Sequence, residues 1–176
     1  RARTRYLHPL VAEELGDDFS VEHAVRFGLL PSVHVQPDPA DYLRGSFFWH
    51  IDGSTDVRPN FAATLNAQVL SKSGGTTYFA NTYAAYEALP EGDKAVYDKL
   101  RVVHSMEVSQ RYINPEPSAE ELVMWQQRPP RSHPLVWHHR SGRKSLVLGT
   151  SGSHIEGMHL SESHDLLQHL IRHATQ

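Results

Sequence analysis

Residues 45–80 read GSFFWHIDGSTDVRPNFAATLNAQVLSKSGGTTYFA, and the periodicity of this stretch decides the fold class. Between residues 61 and 70, Phe61, Ala63, Leu65, Ala67 and Val69 take alternate positions, with Thr64, Asn66 and Gln68 between them. Successive side chains of an extended chain point to opposite faces, so this pattern predicts a half-buried strand. Ser73-Gly74-Gly75 supplies a turn, and residues 76–80 form a second β-type run; a hairpin or tight strand connection is expected. Residues 45–52 are also aromatic and β-rich, until Gly53-Ser54 and Pro59-Asn60 break the run.

Working outward, Asn81 is placed to cap a helix over residues 82–89, and Pro90 stands where another begins, with Ala95, Val96 and Leu100 inward. Residues 101–108 are predicted as a strand. The proline-rich stretch 114–132 reads as an insertion around a short helix. Further strands are expected over 134–138 and 144–149, joined by a turn at Arg140-Ser141-Gly142, and the glycine-rich residues 149–157 as loop. Residues 161–175 give the clearest helix, with Ser161 as its cap and Leu166, Leu167, Leu170, Ile171 and Ala174 as its apolar stripe. Toward the N-terminus, residues 31–45 read as loop, and Ser20 caps a weak helix through Val21, Ala24, Val25 and Leu29. Strands thus dominate the middle and helices flank them. The expectation is a mainly β chain of the α+β class, without internal repeats.

Composition narrows the function. A chain of 176 residues predicts one domain spanning 1–176, large enough to bury its own core. The net charge of −3 comes without a basic block, which argues against nucleic acid as a partner. No apolar run approaches the roughly 20 residues of a membrane span, and no signal-peptide pattern opens the chain, so a cytoplasmic protein is expected. The absence of cysteine removes disulfides, thiolate metal sites and thiol nucleophiles together. The 13 histidines point instead to imidazole as the metal-binding chemistry.

The sharpest local feature is Trp49-His50-Ile51-Asp52. On an extended segment, His50 and Asp52 face the same way. An imidazole and a carboxylate so placed supply two of the three ligands of a two-histidine, one-carboxylate iron site. The bland alternative is a surface His–Asp hydrogen bond beside a packed tryptophan.

The surrounding motifs favour the metal. Trp49-His50-Ile51-Asp52, the downstream Pro59, Gly74-Gly75-Thr76-Thr77 and Ala84-Ala85-Tyr86-Glu87-Ala88-Leu89-Pro90 follow in order. His133-Pro134-Leu135-Val136 and Ser141-Gly142-Arg143-Lys144-Ser145-Leu146 come later, then Ser153-His154-Ile155-Glu156-Gly157-Met158. Over about 110 residues this series resembles the taurine dioxygenase and phenoxyacetate dioxygenase family of iron(II)- and 2-oxoglutarate-dependent oxygenases. The resemblance implies a double-stranded β-helix (jelly roll), with His50 and Asp52 on the metal and the Thr77 hydroxyl on the 2-oxoglutarate carboxylate. It also implies O2 as the third reagent, His154 near substrate, and hydroxylation of a small organic anion of the sulfonate, sulfate or aryloxy-carboxylate type, with release of succinate and CO2. Relatives carry a second metal histidine and an arginine for 2-oxoglutarate in a W-D-N-R-x-x-x-H segment. No residues here match it, so the chain is expected to lack the family's C-terminal part. The competing expectation is a non-catalytic jelly-roll binding protein with a degenerate metal site. Homo-oligomers are common among relatives, but no heptad or apolar stripe picks a state.

The remaining histidines read as structural. His104 belongs to a strand core and His133 precedes a proline. His138 and His139 point to opposite sides of one strand. Asp165, His169 and His173 are spaced at i, i+4, i+8 along the last helix, where a solvated face is the stronger expectation. Of Phe47, Phe48 and Trp49, at least two are expected to pack in the core, and Tyr83 and Tyr86 are assigned to it as well.

Overall fold

The computed structural model describes residues 4–6 (backbone only), 45–66, 72–74 and 76–176. The element order is β1 (Thr4–Tyr6), a single 3-10 turn (Gly45–Phe47), β2 (Thr77–Phe79), α1 (Thr82–Glu87), α2 (Glu91–Tyr97) and β3 (Arg101–His104). Then follow α3 (Met106–Arg111), α4 (Ala119–Gln126), β4 (Arg131–Pro134), β5 (Val136–His138), β6 (Lys144–Leu146), β7 (Gly152–Ile155) and α5 (Leu160–Ala174). Helices and strands mix as the α+β class predicts, but the mainly β character is not seen among the described residues, where helices span more residues than strands. The weak helix after Ser20 and the loop over residues 31–44 lie outside the described residues.

Three sheets form. β3 is the centre of an antiparallel sheet ordered β4-β3-β7, β5 and β6 make an antiparallel ribbon, and β1 pairs with β2 in parallel. Leu135 stitches the ribbon to the larger sheet: its N–H donates to Leu100 O (2.9 Å) and its carbonyl accepts from Val147 N (2.8 Å). The sequence reads residues 134–138 as one strand; Leu135 divides it because its backbone groups go to two different partners. Val102, Leu135, Val136, Leu146, Val147, Leu148 and Ile155 form the core, closed by Leu167 and Leu170 of α5. Removing this area from water is the main driving force of the fold.

Local signals explain most helix ends. Asn81 Oδ1 accepts from Tyr83 N and Ala84 N, as its position predicts. Ser118 and Glu121 form a reciprocal capping box at α4, the short helix expected within residues 114–132. α5 is capped two residues earlier than expected: the His159 imidazole accepts from Ser161 N, and the Ser161 hydroxyl donates to His159 Nδ1 (2.8 Å).

Four further expectations are corrected. Residues 61–66 form no strand; Phe61 and Leu65 are 59% and 70% exposed, because β2 takes the sequence-distant β1 as its partner. Residues 67–70, the rest of that predicted strand, are not described. The predicted strand 101–108 stops at His104, where Ser105 accepts from Val108 N and starts α3. Ala95 and Val96 face solvent, because Lys94 turns toward α1, donating to Glu87 O (2.9 Å), and Tyr97 and Leu100 meet the core instead. The glycine-rich stretch 149–157 is not all loop, since β7 occupies Gly152–Ile155.

Candidate metal centre

The segment Trp49–Asp52 is not an extended strand. His50 makes an isolated bridge and Asp52 opens a turn. The two side chains still converge, with His50 Nε2 3.5 Å from Asp52 Oδ1. Trp49 anchors the segment by packing against the core cluster, and Ile51 is buried in it. The imidazole and the carboxylate stay partly open to solvent, with 21% and 39% of each side chain exposed.

His50 Nδ1 lies 2.8 Å from the carbonyl of Phe48. A carbonyl only accepts, so Nδ1 carries a proton and donates, and Nε2 is the ring nitrogen turned toward Asp52. That is the orientation a metal-binding histidine takes when a backbone carbonyl fixes its tautomer. Two ligands on neighbouring vertices of an octahedral ion with bonds of about 2.1 Å stand about 3 Å apart, close to the spacing here. One imidazole nitrogen and one carboxylate oxygen therefore fit two positions of a ferrous ion by donor type and separation. Among the described residues, no group of three histidine, aspartate or glutamate side chains gathers as a metal site.

The backbone holds the pair from the side. Thr150 N donates to Trp49 O (3.0 Å), and a Cβ on Gly149 would lie 3.0 Å from His50 Cα, so only glycine admits this approach. Thr77 is half-buried in β2, opposite Thr4 in the β1 register. His154, expected in a loop, sits in β7 opposite Val103, with its Nδ1 3.1 Å from the Ser153 hydroxyl. It forms no three-ligand group with His50 and Asp52.

Several of the other described histidines have structural partners, among them His173, for which the sequence predicts a solvated face. His104 is fully buried with Nδ1 2.8 Å from Ser151 Oγ; burial, and then the charge of His133, push its pKa down to about 4, so it is neutral. His133 donates from Nε2 to Asp56 O (3.0 Å), and His173 donates to Ala85 O (2.8 Å), holding α5 to α1. His139 bonds Ser145 (2.8 Å) and His138 bonds Asp98 (3.0 Å). Of the aromatics, Tyr83 and Tyr86 are buried, while Phe48 stacks at a tilt on Tyr112 (5.4 Å). Sequence reasoning missed the Phe48 carbonyl and the Ser54–Ser151 hydroxyl pair (2.8 Å), since neither a main-chain acceptor nor a contact 97 residues apart leaves a local signal.

Comparison with known proteins adds the following. A family model described as taurine catabolism dioxygenase TauD, TfdA family, matches residues 5–176. An alpha-ketoglutarate-dependent 2,4-dichlorophenoxyacetate dioxygenase of Burkholderia sp. (strain RASC) is 40% identical over 129 residues, covering 73% of this chain and 43% of its own. A (S)-phenoxypropionate/alpha-ketoglutarate-dioxygenase of Sphingobium herbicidovorans is 35% identical over 153 residues, 82% of this chain and 53% of its own. An alpha-ketoglutarate-dependent sulfate ester dioxygenase of Pseudomonas putida is 34% identical over 134 residues, 73% of this chain and 44% of its own. The crystal structure of AAD-2 in complex with Mn(II) and N-oxalylglycine superposes with a TM-score of 0.49 at 35% identity, over 55% of this chain and 38% of that one. The chain spans about half the length of the curated relatives it matches.

Proposed function

The chain belongs to the TauD, TfdA family of taurine catabolism dioxygenases, and on that premise we propose that the whole protein is an Fe(II)- and 2-oxoglutarate-dependent dioxygenase built on one jelly-roll domain and acting in the cytoplasm. The observation that carries this reading is the His50–Asp52 pair, with the tautomer of His50 fixed by the Phe48 carbonyl. Its substrate class is a small organic anion of the aryloxy-carboxylate, sulfate-ester or sulfonate type, in keeping with the names of its relatives.

Iron, when bound with 2-oxoglutarate, supplies the oxidising power that O2 alone lacks toward a C–H bond. This chain's residues supply placement. The Phe48 carbonyl accepts from Nδ1 of His50 and fixes the ring, so that Nε2 would be the nitrogen offered to the metal. Asp52 contributes negative charge that offsets the cation. Trp49, packed on the core, keeps the ligand segment from swinging outward. The Thr77 hydroxyl would donate to a carboxylate oxygen of 2-oxoglutarate, a charge-assisted bond. His154 faces the substrate side in this reading.

The test is the native protein under anaerobic Fe(II) and 2-oxoglutarate. A weak metal-to-ligand absorption band in the visible is expected, with succinate formed once air and an anionic substrate are added. His50→Ala removes the band, and Thr77→Val raises the 2-oxoglutarate concentration needed for it, by roughly tenfold for one lost bond to a charged group. A native protein that shows neither band nor succinate is instead a metal-free small-molecule binder.

A further inference from the structure

Resting on the metal-site reading, we infer that Ser151, braced from behind by His104, is a positioning residue that sets the separation of His50 and Asp52. The segment from Gly149 to Gly152 touches the ligand-bearing segment at both ends. Upstream, Thr150 N donates to Trp49 O (3.0 Å) and Gly149 abuts His50. Downstream, Ser151 Oγ lies 2.8 Å from Ser54 Oγ, and both serines are buried. The backbone of residues 50–54, which carries both ligands, is thus pinned on either side of Asp52 to one short stretch of chain.

That stretch is itself fixed. The register between β3 and β7 shifts at Val103/His104, so that Val103 faces His154 while His104 faces Gly152. Such a bulge re-aims the chain beside it. Here Ser151 lies against β3: Ser105 N donates to Ser151 O (2.8 Å), and His104 Nδ1 lies 2.8 Å from Ser151 Oγ. His133, whose ring is 5.7 Å from that of His104, ties the far side of the turn through Asp56 O (3.0 Å).

His104 is an expensive residue for its place. It is fully buried, and its Nε2 has no hydrogen-bond partner among the described residues. Burying a polar nitrogen without a partner is unfavourable, and an apolar side chain there avoids that cost. What histidine adds is its single bond to Ser151, the residue that reaches the Asp52 turn.

The experiment measures Mn(II) affinity of the whole protein, read by paramagnetic broadening of the His50 ring signals, beside the thermal midpoint. Ser151→Ala and Ser54→Ala are each expected to weaken Mn(II) binding by roughly tenfold or more, as for other residues that orient ligands. The double variant should lose no more than Ser151→Ala alone, because that variant already removes the Ser54–Ser151 bond together with the His104–Ser151 bond. Ser54→Ala leaves the His104–Ser151 bond in place, so it serves if Ser151→Ala fails to fold. Ser145→Ala is the control: it removes the bond of another buried serine to a half-buried histidine, His139, and should lower the midpoint without changing Mn(II) affinity. Equal Mn(II) affinity in wild type, Ser54→Ala and Ser151→Ala overturns the inference while leaving the metal site intact. A wild type in which Mn(II) spares His50 overturns the metal-site reading, and the inference falls with it.

Discussion

Two histidine–aspartate pairs in this chain look alike on paper and differ in what surrounds them. His138 and Asp98 are 3.0 Å apart, and Asp98 also takes Lys144 at 2.7 Å. His138 and Lys144 are cross-strand partners in the β5–β6 ribbon, so one face of the ribbon grips one carboxylate at the end of α2. Its negative charge is met by a resident cation. His50 and Asp52 are 3.5 Å apart, and the His50 proton is drawn away to Phe48 O. The His50 Nε2 is the ring nitrogen turned toward Asp52. The first carboxylate has both a lysine and a histidine against it; the second has beside it a histidine whose Nδ1 is held by a backbone carbonyl. Distance between a histidine and an aspartate says little by itself; the other partners of each decide.

The largest expected effect breaks the comparison at its centre. Asp52→Ala should abolish Fe(II) binding, measured anaerobically by equilibrium dialysis, and leave the thermal midpoint within a few degrees, since Asp52 is partly exposed and outside the core. A large fall in the midpoint with metal affinity preserved makes Asp52 a structural residue like Asp98.

These two pairs also mark what was legible. His50 and Asp52 are two positions apart, so a local rule brings them together, and it succeeds although the segment is a bridge and turn, not the strand the rule assumes. His138 and Asp98 lie 40 residues apart and meet only because the ribbon folds back on α2; no local pattern announces that. The same contrast runs through the fold. Asn81, the Gly142 turn and the leucines of α5 are read correctly because cap, turn and helical stripe are nearest-neighbour physics. Residues 61–66 are misread because alternation proposes a strand but cannot name its partner, and β2 is taken by Thr4–Tyr6. Ser54 and Ser151 were invisible for the same reason.

A third histidine sharpens the contrast through pH. Burial, and next the charge of His133, hold the His104 pKa at about 4, below the ordinary value of 6.5. The unfolded chain takes up this proton near its ordinary pKa while the folded one resists it. Stability is therefore full above about pH 6.5 and falls between 6.5 and 4, by at most ~1.4 kcal/mol per pH unit from this group. Denaturant unfolding at pH 7 and pH 5 should show this loss in the wild type and a smaller one in His104→Gln. An equal loss in both assigns the acid sensitivity elsewhere.

The smallest effect belongs to the completed pair. Burial alone pushes the Asp98 carboxyl up, but the hydrogen bonds and charges of Lys144 and His138 outweigh it and hold the group below its ordinary value. A carboxylate stabilised in the fold contributes above its ordinary pKa near 4, and the contribution fades as pH falls through the lowered value. Its size is that of a partly exposed ion pair, a few tenths to about 1 kcal/mol. Asp98→Asn should thus lower stability by no more than that at pH 7, should match wild type near pH 2, and should differ from it less in high salt, which screens such pairs. It should leave Fe(II) affinity untouched. If Asp98→Asn weakens metal binding as Asp52→Ala does, the two carboxylates do not differ in role.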